Sequence, residues 1–206
     1  MKILGRGRSR SIKCIWAAEE AGLAYEYHSV DMPGGEHKSE AFRKMNPAMK
    51  VPVLVEGTFI LSESQAICTY IGVKRPDSLL IPVDGTRERA SYDQWMSYIS
   101  AELEQPLWLQ AKHTFALPEA IRLPLDSIKK VAAFEWEKAL VPIADRLDVH
   151  LFVLGDSFSM ADVALGYTLD WAKRAGFSIE NAKVNNYLDR MLSRPAYLRA
   201  LTKVTV

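Results

Sequence analysis

The sequence has 206 residues, of which 49% are hydrophobic and 25% charged, and this composition is typical of a globular protein with one or two domains. It holds 26 Lys and Arg against 25 Asp and Glu, a formal net charge of +1, so no strong overall field attracts nucleic acid or an acidic membrane. The two cysteines, Cys14 and Cys68, exclude a disulfide framework and a cysteine-rich zinc site. We find no export signal and no apolar run of the ~20 residues that span a bilayer, and we therefore expect a soluble, cytoplasmic protein.

The elements of the first 75 residues alternate between strands and helices. In chain order we predict a strand at 2–5, a helix at 9–23, a strand at 25–30, a helix at 39–45, strands at 51–55 and 58–61, and a helix at 63–73. The order is β-α-β-α-β-β-α. The first two strands should be parallel because a helix joins them, and the last two form an antiparallel hairpin across Glu56-Gly57. A small mixed sheet flanked by helices follows from this order.

The second half has helical spacing throughout. Residues 74–85 are rich in Pro, Asp and Gly and form a predicted linker. Helices are predicted at 87–113 with a possible kink at Pro106, at 125–149 with an interruption near Pro142, and at 159–175, 181–192 and 195–203. We therefore divide the chain into an α/β domain at 1–76, a linker at 77–86 and an all-helical domain at 87–206.

The turn between the first strand and the first helix has the residue types of an anion site. The first 18 residues hold five basic groups and no acidic one, and a helix N-terminus offers free N–H groups and partial positive charge. Ser9 and Ser11 lie here, and either hydroxyl can donate a hydrogen bond to an anion or simply cap the helix. On charge alone, these basic residues are better explained as the solvent-exposed start of a helix than as an anion site.

Two further loops suit an extended ligand with an amino acid head. Pro52 begins a strand, where it cannot donate to the ladder, and a cis bond there would leave the backbone of Val51 open for pairing. Glu63 and Ser64 begin another helix, whose N–H groups can hold a carboxylate while Glu63 holds an ammonium group. Each motif alone is more often structural, but three such loops on one small α/β unit favour a binding site.

The chain resembles the cytosolic glutathione S-transferases, and in particular their serine-type bacterial members. Residues 9–23, 46–54 and 63–67 match the family's N-terminal domain, and residues 155–162 match its helix-capping segment, with Ser159 and Asp162 as a capping box. The match covers nearly the whole chain in the right order. The resemblance implies a thioredoxin-like N-terminal domain, an all-helical C-terminal domain, a homodimer and glutathione as co-substrate.

The resemblance also implies roles at the reactive end of glutathione. Ser9 matches the catalytic serine, and Ser11 is the runner-up because the length of this loop varies among the classes. Val51 would pair its backbone with the cysteinyl part, next to a cis Pro52. The position of Met49 is usually small in the family, often Gly, so the chain departs from the pattern there.

The same resemblance implies partners for the two ends of the tripeptide. Glu63 and Ser64 would hold the γ-glutamyl end. Lys38 would hold the glycine carboxylate, with His37 or Lys50 as alternatives.

We expect a transferase in which the Ser9 hydroxyl stabilises the glutathione thiolate, which then attacks a small hydrophobic electrophile. Most aromatic side chains of the first long helix should be core or dimer interface, and Trp95 and Tyr98 are candidates for the electrophile pocket. The four histidines lack ligand spacing, so we expect no metal. The alternatives are a glutathione-dependent disulfide or peroxide reductase and a binding module without turnover. Both cysteines are expected to be buried packing residues.

Overall fold

The computed structural model describes residues 1–204 and forms two compact units. One unit contains Met1–Pro82 together with the segment from Met191 onward, and the other is Val83–Arg190. The sequence-based division placed everything after residue 87 in the helical domain. The structure instead groups the last helix with the α/β unit, because that helix packs on the first one.

The strands and helices follow the predicted order within residues 1–204. The strands are β1 (Lys2–Gly5), β2 (Glu26–Ser29), β3 (Val53–Glu56) and β4 (Phe59–Ser62). The helices are α1 (Ser11–Ala21), α2 (Glu40–Met45), α3 (Ser64–Val73), α4 (Arg87–Tyr98), α5 (Glu104–Ala111), α6 (Leu125–Val149), α7 (Met160–Arg174), α8 (Ala182–Leu192) and α9 (Pro195–Val204).

The sheet has the strand order β2-β1-β3-β4 and is mixed, as predicted. Strand β1 is parallel to β2 and antiparallel to β3, and β3 is antiparallel to β4. The hairpin register pairs Glu56 with Phe59. The turn residues are therefore Gly57 and Thr58, one position later than predicted, and Gly57 has the positive φ of 59° that such turns require.

Both faces of the sheet are covered. Leu4 of β1 and Val53 of β3 are register partners and pack with Phe42 of α2 in one buried cluster. Their neighbours Ile3 and Leu54 point to the opposite face because side chains alternate along a strand, and both are fully buried. Helices α1 and α3 pack against each other and against the strands.

Helix α9 is held on α1 by an aromatic contact and an ion pair. The rings of Trp16 and Tyr197 meet edge to face with centroids 4.8 Å apart. Arg194, just before α9, donates to both carboxylate oxygens of Glu20 at 2.5 and 2.8 Å. The C-terminal helix is thus a structural part of the α/β unit.

The helical unit differs from prediction in two places. Residues 87–116 are helical throughout, but π-helical turns occur at Ile99–Leu103 and Lys112–Ala116. Pro106 lies inside this continuous helix, three residues after the first π-helical turn, and its missing N–H removes one bond from the helix. Helix α6 continues through Pro142, so the predicted interruption was wrong. Pro142 is exposed, and water can bond the carbonyl that loses its partner.

The predicted capping box at the start of α7 is confirmed. The Ser159 hydroxyl accepts from the Ala161 N–H at 3.2 Å, and the Asp162 carboxylate accepts from the Ser159 N–H at 2.9 Å. Asp162 also accepts from the Val153 N–H and from the Tyr187 hydroxyl, each at 2.9 Å. In residues 1–204, no helix has both the length and the apolar character of a membrane span.

Candidate functional site

The predicted site loops leave the sheet at one edge. Strands β1 and β3 are antiparallel with Leu4 opposite Val53, so the end of β1 lies beside the start of β3. In the hairpin Val53 is opposite Ser62, which places the end of β4 at the same edge. The loops that carry Ser9, Val51 and Glu63 therefore converge there.

Ser9 and Ser11 differ in accessibility although their hydroxyl oxygens are only 2.9 Å apart. Ser11 is fully buried, and its Oγ accepts the backbone N–H of Arg6 at 3.2 Å. Ser9 is half-buried, and its Oγ also accepts the Ser11 N–H at 3.3 Å. Helix α1 begins at Ser11 with Arg10 as its capping residue. The accessible hydroxyl at this turn is therefore that of Ser9.

The burial of Ser11 requires a glycine at the end of β1. A Cβ atom added to Gly5 would lie 2.4 Å from Ser11 Cβ and 2.6 Å from its Oγ, which is closer than real Cβ atoms approach. The glycine lets the start of α1 approach the strand, and it thereby sets the position of the loop that carries Ser9.

The Val51–Pro52 peptide bond is cis, as the resemblance implied. Val51 is half-buried and lies outside both ladders, whose registers begin at Val53. Met49, the position that is usually small in the family, has a φ of 54°. The loop thus keeps a left-handed residue at the place where glycine is common.

Glu63 has the most unusual backbone of the site, with φ 67° and ψ 114°. A residue other than glycine in this region costs about 1–3 kcal/mol, and such strain clusters at functional sites. Glu63 is exposed, whereas Ser64, the first residue of α3, is only 5% exposed. The first N–H groups of α3 have no partner within the helix and face the same edge as Glu63.

A buried cation that the sequence reasoning missed lies between the two helix starts. Lys13 is fully buried, and its Nζ donates to Gln65 Oε1 of α3 at 3.4 Å. One signal was available, because Lys13 stands four residues after Ser9 on a helix whose other buried positions, apart from Ser11, are apolar. Lys13 ties the first turn of α3 to α1.

The two cysteines are buried packing residues, as predicted. Cys14 Sγ lies 3.9 Å from the carbonyl oxygen of Ser64, so it also packs against the start of α3. Burial, followed by the proximity of Cys68, raises the pKa of the Cys14 thiol well above its ordinary value. This thiol is poorly suited to be a nucleophile.

The candidates for the glycine carboxylate follow strand β2. Because β2 is parallel to β1, with Ser29 opposite Gly5, it ends at the same edge. Lys38 ends a short 3₁₀ turn (Glu36–Lys38) and is exposed, whereas His37 is half-buried. Lys50 is exposed, and its carbonyl accepts from the Asn46 side chain at 2.8 Å.

Trp95 and Tyr98 belong to the helical unit. Their rings meet edge to face with centroids 5.8 Å apart, and both are half-buried. The Tyr98 hydroxyl donates to the Ala139 carbonyl of α6 at 2.9 Å. Burial, with a smaller contribution from Glu102, raises the pKa of Tyr98. Residues 1–204 contain no cluster of three or more His, Cys, Asp and Glu side chains arranged to hold a metal.

Comparison with known proteins agrees with the fold. The chain matches the family model of the glutathione S-transferase N-terminal domain over residues 3–72 and that of the C-terminal domain over residues 128–190. It is 30% identical to a probable glutathione S-transferase, GSTF2, of Oryza sativa subsp. japonica, over 80% of this chain and 77% of that protein.

Two solved structures are similar over nearly their whole length. A sphingomonad glutathione S-transferase complexed with glutathione has a TM-score of 0.87 and 26% identity, covering 100% of both chains. A theta class glutathione S-transferase from Xanthomonas axonopodis pv. citri with glutathione bound has a TM-score of 0.84 and 28% identity, covering 97% of this chain and 96% of that one.

Proposed function

Because this chain belongs to the glutathione S-transferase family and is a glutathione transferase, we propose that Ser9 activates its glutathione for transfer to small hydrophobic electrophiles. The single observation that carries the role of Ser9 is its accessible hydroxyl beside a buried, fully engaged Ser11. The thioredoxin-like fold and the convergence of the three loops at one edge support this placement.

Glutathione would lie along this edge with its γ-glutamyl end at α3. The free N–H groups at the start of α3 and the hydroxyl of Ser64 would hold the carboxylate, and the exposed Glu63 would pair with the ammonium group. The backbone of Val51, beside Pro52, would pair with the cysteinyl residue. Lys38 would bind the glycine carboxylate. The strained backbone of Glu63 supports this assignment, since the Glu63 side chain does not cap the helix that it precedes.

The Ser9 hydroxyl would donate a hydrogen bond to the sulfur. Ser9 Oγ can accept the hydroxyl hydrogen of Ser11 as well as its N–H, which leaves its own hydrogen for the ligand. Ser11 in turn accepts from Arg6. A free thiol has a pKa of about 8.5, and each unit of lowering requires ~1.4 kcal/mol. One hydrogen bond to a charged sulfur, at about 1.5–3 kcal/mol, supplies that.

The transfer step itself would form a bond between sulfur and the electrophilic carbon. With an aryl halide the thiolate supplies the electron pair, the carbon–halogen bond breaks, and the halide leaves with its electrons. Ser9 forms no covalent bond in this scheme. Trp95 and Tyr98 are proposed to line the pocket for the apolar part of the electrophile.

The test compares wild type with Ser9→Ala and Ser9→Thr, using an aryl halide and immobilised glutathione. Ser9→Ala should lower kcat/KM by about 10-fold to 100-fold, which corresponds to one hydrogen bond to a charged atom, while the protein remains on the resin. Ser9→Thr keeps a hydroxyl and should retain more activity. An unchanged kcat/KM in Ser9→Ala would remove Ser9 from the mechanism.

Assays with a hydroperoxide and a mixed disulfide would measure the reductase alternative with the same variants. We also propose that the protein is a cytoplasmic homodimer with a role in detoxification. Light scattering of the purified protein tests the dimer, because a mass near the 23.2 kDa of one chain would contradict it.

A further inference from the structure

A short loop joins strand β2 to the turn that carries Lys38. The Val30 N–H at the end of β2 donates to the Gly5 carbonyl of β1 at 2.7 Å, so the loop begins at the edge of the sheet where the site loops converge. It leads into the 3₁₀ turn Glu36–Lys38, and the next residue, Ser39, caps α2 with its side chain. Lys38 therefore stands between a fixed strand end and a capped helix.

The carboxylate of Glu36 closes this loop. Its Oε2 accepts the Asp31 N–H at 2.7 Å, and the Glu36 N–H donates to the Asp31 carbonyl at 3.0 Å. Its Oε1 lies 2.6 Å from His28 Nε2 of β2, and His28 is the donor because an ionised carboxylate only accepts. One side chain thus ties the 3₁₀ turn both to the strand and to the start of the loop.

The chain between Asp31 and Lys38 transmits this closure along its backbone. Asp31 Oδ1 accepts the Gly34 N–H at 2.8 Å, and a Cβ atom on Gly34 would collide with the Asp31 carboxylate. The Lys38 N–H donates to the Gly35 carbonyl at 2.8 Å. The position of the Lys38 backbone therefore depends on the loop that Glu36 holds closed.

The charges of the 3₁₀ turn are arranged so that its carboxylate is engaged and its cation is accessible. A hydrogen bond from His28, followed by one from the Asp31 N–H, lowers the pKa of Glu36, so Glu36 stays ionised at neutral pH. Lys38 is exposed. Its neighbour His37 has a buried Nδ1 that finds no hydrogen-bond partner within residues 1–204. The cation that this turn offers to a ligand is therefore Lys38.

We propose that Glu36 is a positioning residue for glutathione: its carboxylate, held by His28 and by the Asp31 N–H, fixes the turn from which Lys38 reaches the glycine carboxylate. This inference rests on the proposed function, in which Lys38 binds that carboxylate. Glu36 itself does not touch the ligand. It acts through Lys38, by keeping the ammonium group within reach of the glycine end and so reducing the ordering that binding requires.

A simpler role for Glu36 is the stability of the loop alone. Exposed ion pairs contribute little to stability, and such a role would affect every form of glutathione equally. Charge alone predicts the opposite sign, because removal of a carboxylate near Lys38 strengthens the attraction of this region for an anion. Only positioning predicts a selective loss of binding to the glycine carboxylate.

The probes are glutathione and its glycine monoethyl ester, which share the same thiol and the same γ-glutamyl end. The full chain is assayed with one aryl halide while the concentration of each thiol is varied, and kcat/KM for the acid is divided by kcat/KM for the ester. Partial unfolding of a variant lowers both values together, so this ratio reports only the folded protein.

The variants test Lys38 and Glu36 separately. Lys38→Met should lower the ratio about tenfold, the usual effect of losing one charge-assisted hydrogen bond. Glu36→Ala should lower it about three- to tenfold through a larger KM for glutathione, with kcat nearly unchanged. Glu36→Gln, whose amide oxygen can still accept one of the two hydrogen bonds, should lie between Glu36→Ala and the wild type. Glu40→Ala, at an exposed position on α2, makes the same change in net charge and should not lower the ratio.

The strand side of the contact is tested with His28→Phe, which removes the donor and keeps an aromatic side chain on β2. It should lower the ratio in the wild-type background and have no further effect in Glu36→Ala. Glu36→Ala should likewise have no further effect in Lys38→Met, because residues that act through one another are not additive.

The results separate the inference from the function on which it rests. If Lys38→Met lowers the ratio but Glu36→Ala reduces the rates with acid and ester equally, or leaves the ratio unchanged or higher, the inference is overturned and the proposed function stands. An unchanged ratio in Lys38→Met would contradict the proposed role of Lys38, and the inference with it.

Discussion

The hydroxyl oxygens of Ser9 and Ser11 lie 2.9 Å apart, and the two residues have opposite environments. Ser11 is sealed beneath the β1–α1 turn and accepts a backbone N–H, whereas Ser9 remains accessible. This difference assigns different tasks to two residues that the sequence alone leaves as alternatives. Ser11 holds the turn, and the proposed role of Ser9 is to contact the glutathione sulfur.

Ser11→Ala should therefore reduce stability more than it reduces catalysis. It removes a buried hydroxyl and the acceptor of the Arg6 N–H, a partly buried hydrogen bond whose loss costs about 1 kcal/mol. Chemical denaturation measures the loss, with Ser9→Ala as the matched control because that variant removes a half-buried hydroxyl. If Ser11→Ala raised the pKa of bound glutathione as much as Ser9→Ala, the assignment of tasks would be wrong.

Gly5→Ala should be destabilising because its new Cβ would overlap Ser11 Cβ at 2.4 Å. We expect a loss of about 1–3 kcal/mol, the usual cost of overpacking. Ser11→Gly removes the obstructing atoms, so it should cost less in the Gly5→Ala background than in the wild type. A double-mutant cycle measures this coupling, and additive effects would show that the two residues do not compete for space.

Asp162 makes stability depend on pH in the helical unit. Burial raises its pKa to about 6 from an ordinary value of 3.8, although hydrogen bonds from Val153, Ser159 and Tyr187 lower it. The folded protein therefore holds an extra proton between these values. The stability that this group contributes is fully present below about pH 4 and is lost as the pH rises through 6, by about 3 kcal/mol in total.

The reference for this pH dependence is the variant Asp162→Asn, because its side chain does not titrate. The unfolding free energy of the wild type relative to this variant should fall by about 2.5 kcal/mol between pH 4 and pH 7. A relative stability that rises with pH would mean that the hydrogen bonds to Asp162 outweigh its burial.

The ion pair between Arg194 and Glu20 should contribute strongly to the attachment of α9. Glu20 is 9% exposed and also accepts from the Trp16 indole N–H at 2.9 Å. Arg194→Ala leaves this carboxylate nearly buried without its cation, a loss of about 3 kcal/mol. Lys44→Ala is the control, because Lys44 and Glu40 are 76% and 83% exposed in their pair, and its loss should cost under about 1 kcal/mol. Equal losses would contradict this account.

The sequence allowed most of the α/β order to be predicted because glycine and proline mark its boundaries. Gly22 closes α1 in a left-handed conformation with φ 62°, and α2 ends before Pro47, as expected. The attachment of α9 to α1 could not be predicted, since it depends on contacts between Glu20 and Arg194, which are 174 positions apart. The predicted interruption of α6 at Pro142 was wrong because the effect of a proline on a helix depends on whether its position is exposed to water, and the hydrophobic periodicity of the sequence does not show that.

The candidate site was predicted residue by residue, but its supporting residues were not. Motifs and the family resemblance pointed to Ser9, Val51 and Glu63. Lys13 of α1 contacts Gln65 at the start of α3, and Tyr197 of α9 contacts Arg8 in the loop that carries Ser9. These partners are far apart in the sequence, so no local sequence pattern predicts the contacts.

The pKa of the glutathione thiol bound to Ser9→Ala tests the central claim most directly. It is measured from the ultraviolet absorbance of the thiolate as a function of pH, with wild type and Ser9→Thr as references. We predict that removing the hydroxyl raises this pKa by about 1–2 units, the equivalent of one hydrogen bond to a charged sulfur, and that Ser9→Thr stays near the wild type. An unchanged thiol pKa in Ser9→Ala, with glutathione still bound, would contradict the account.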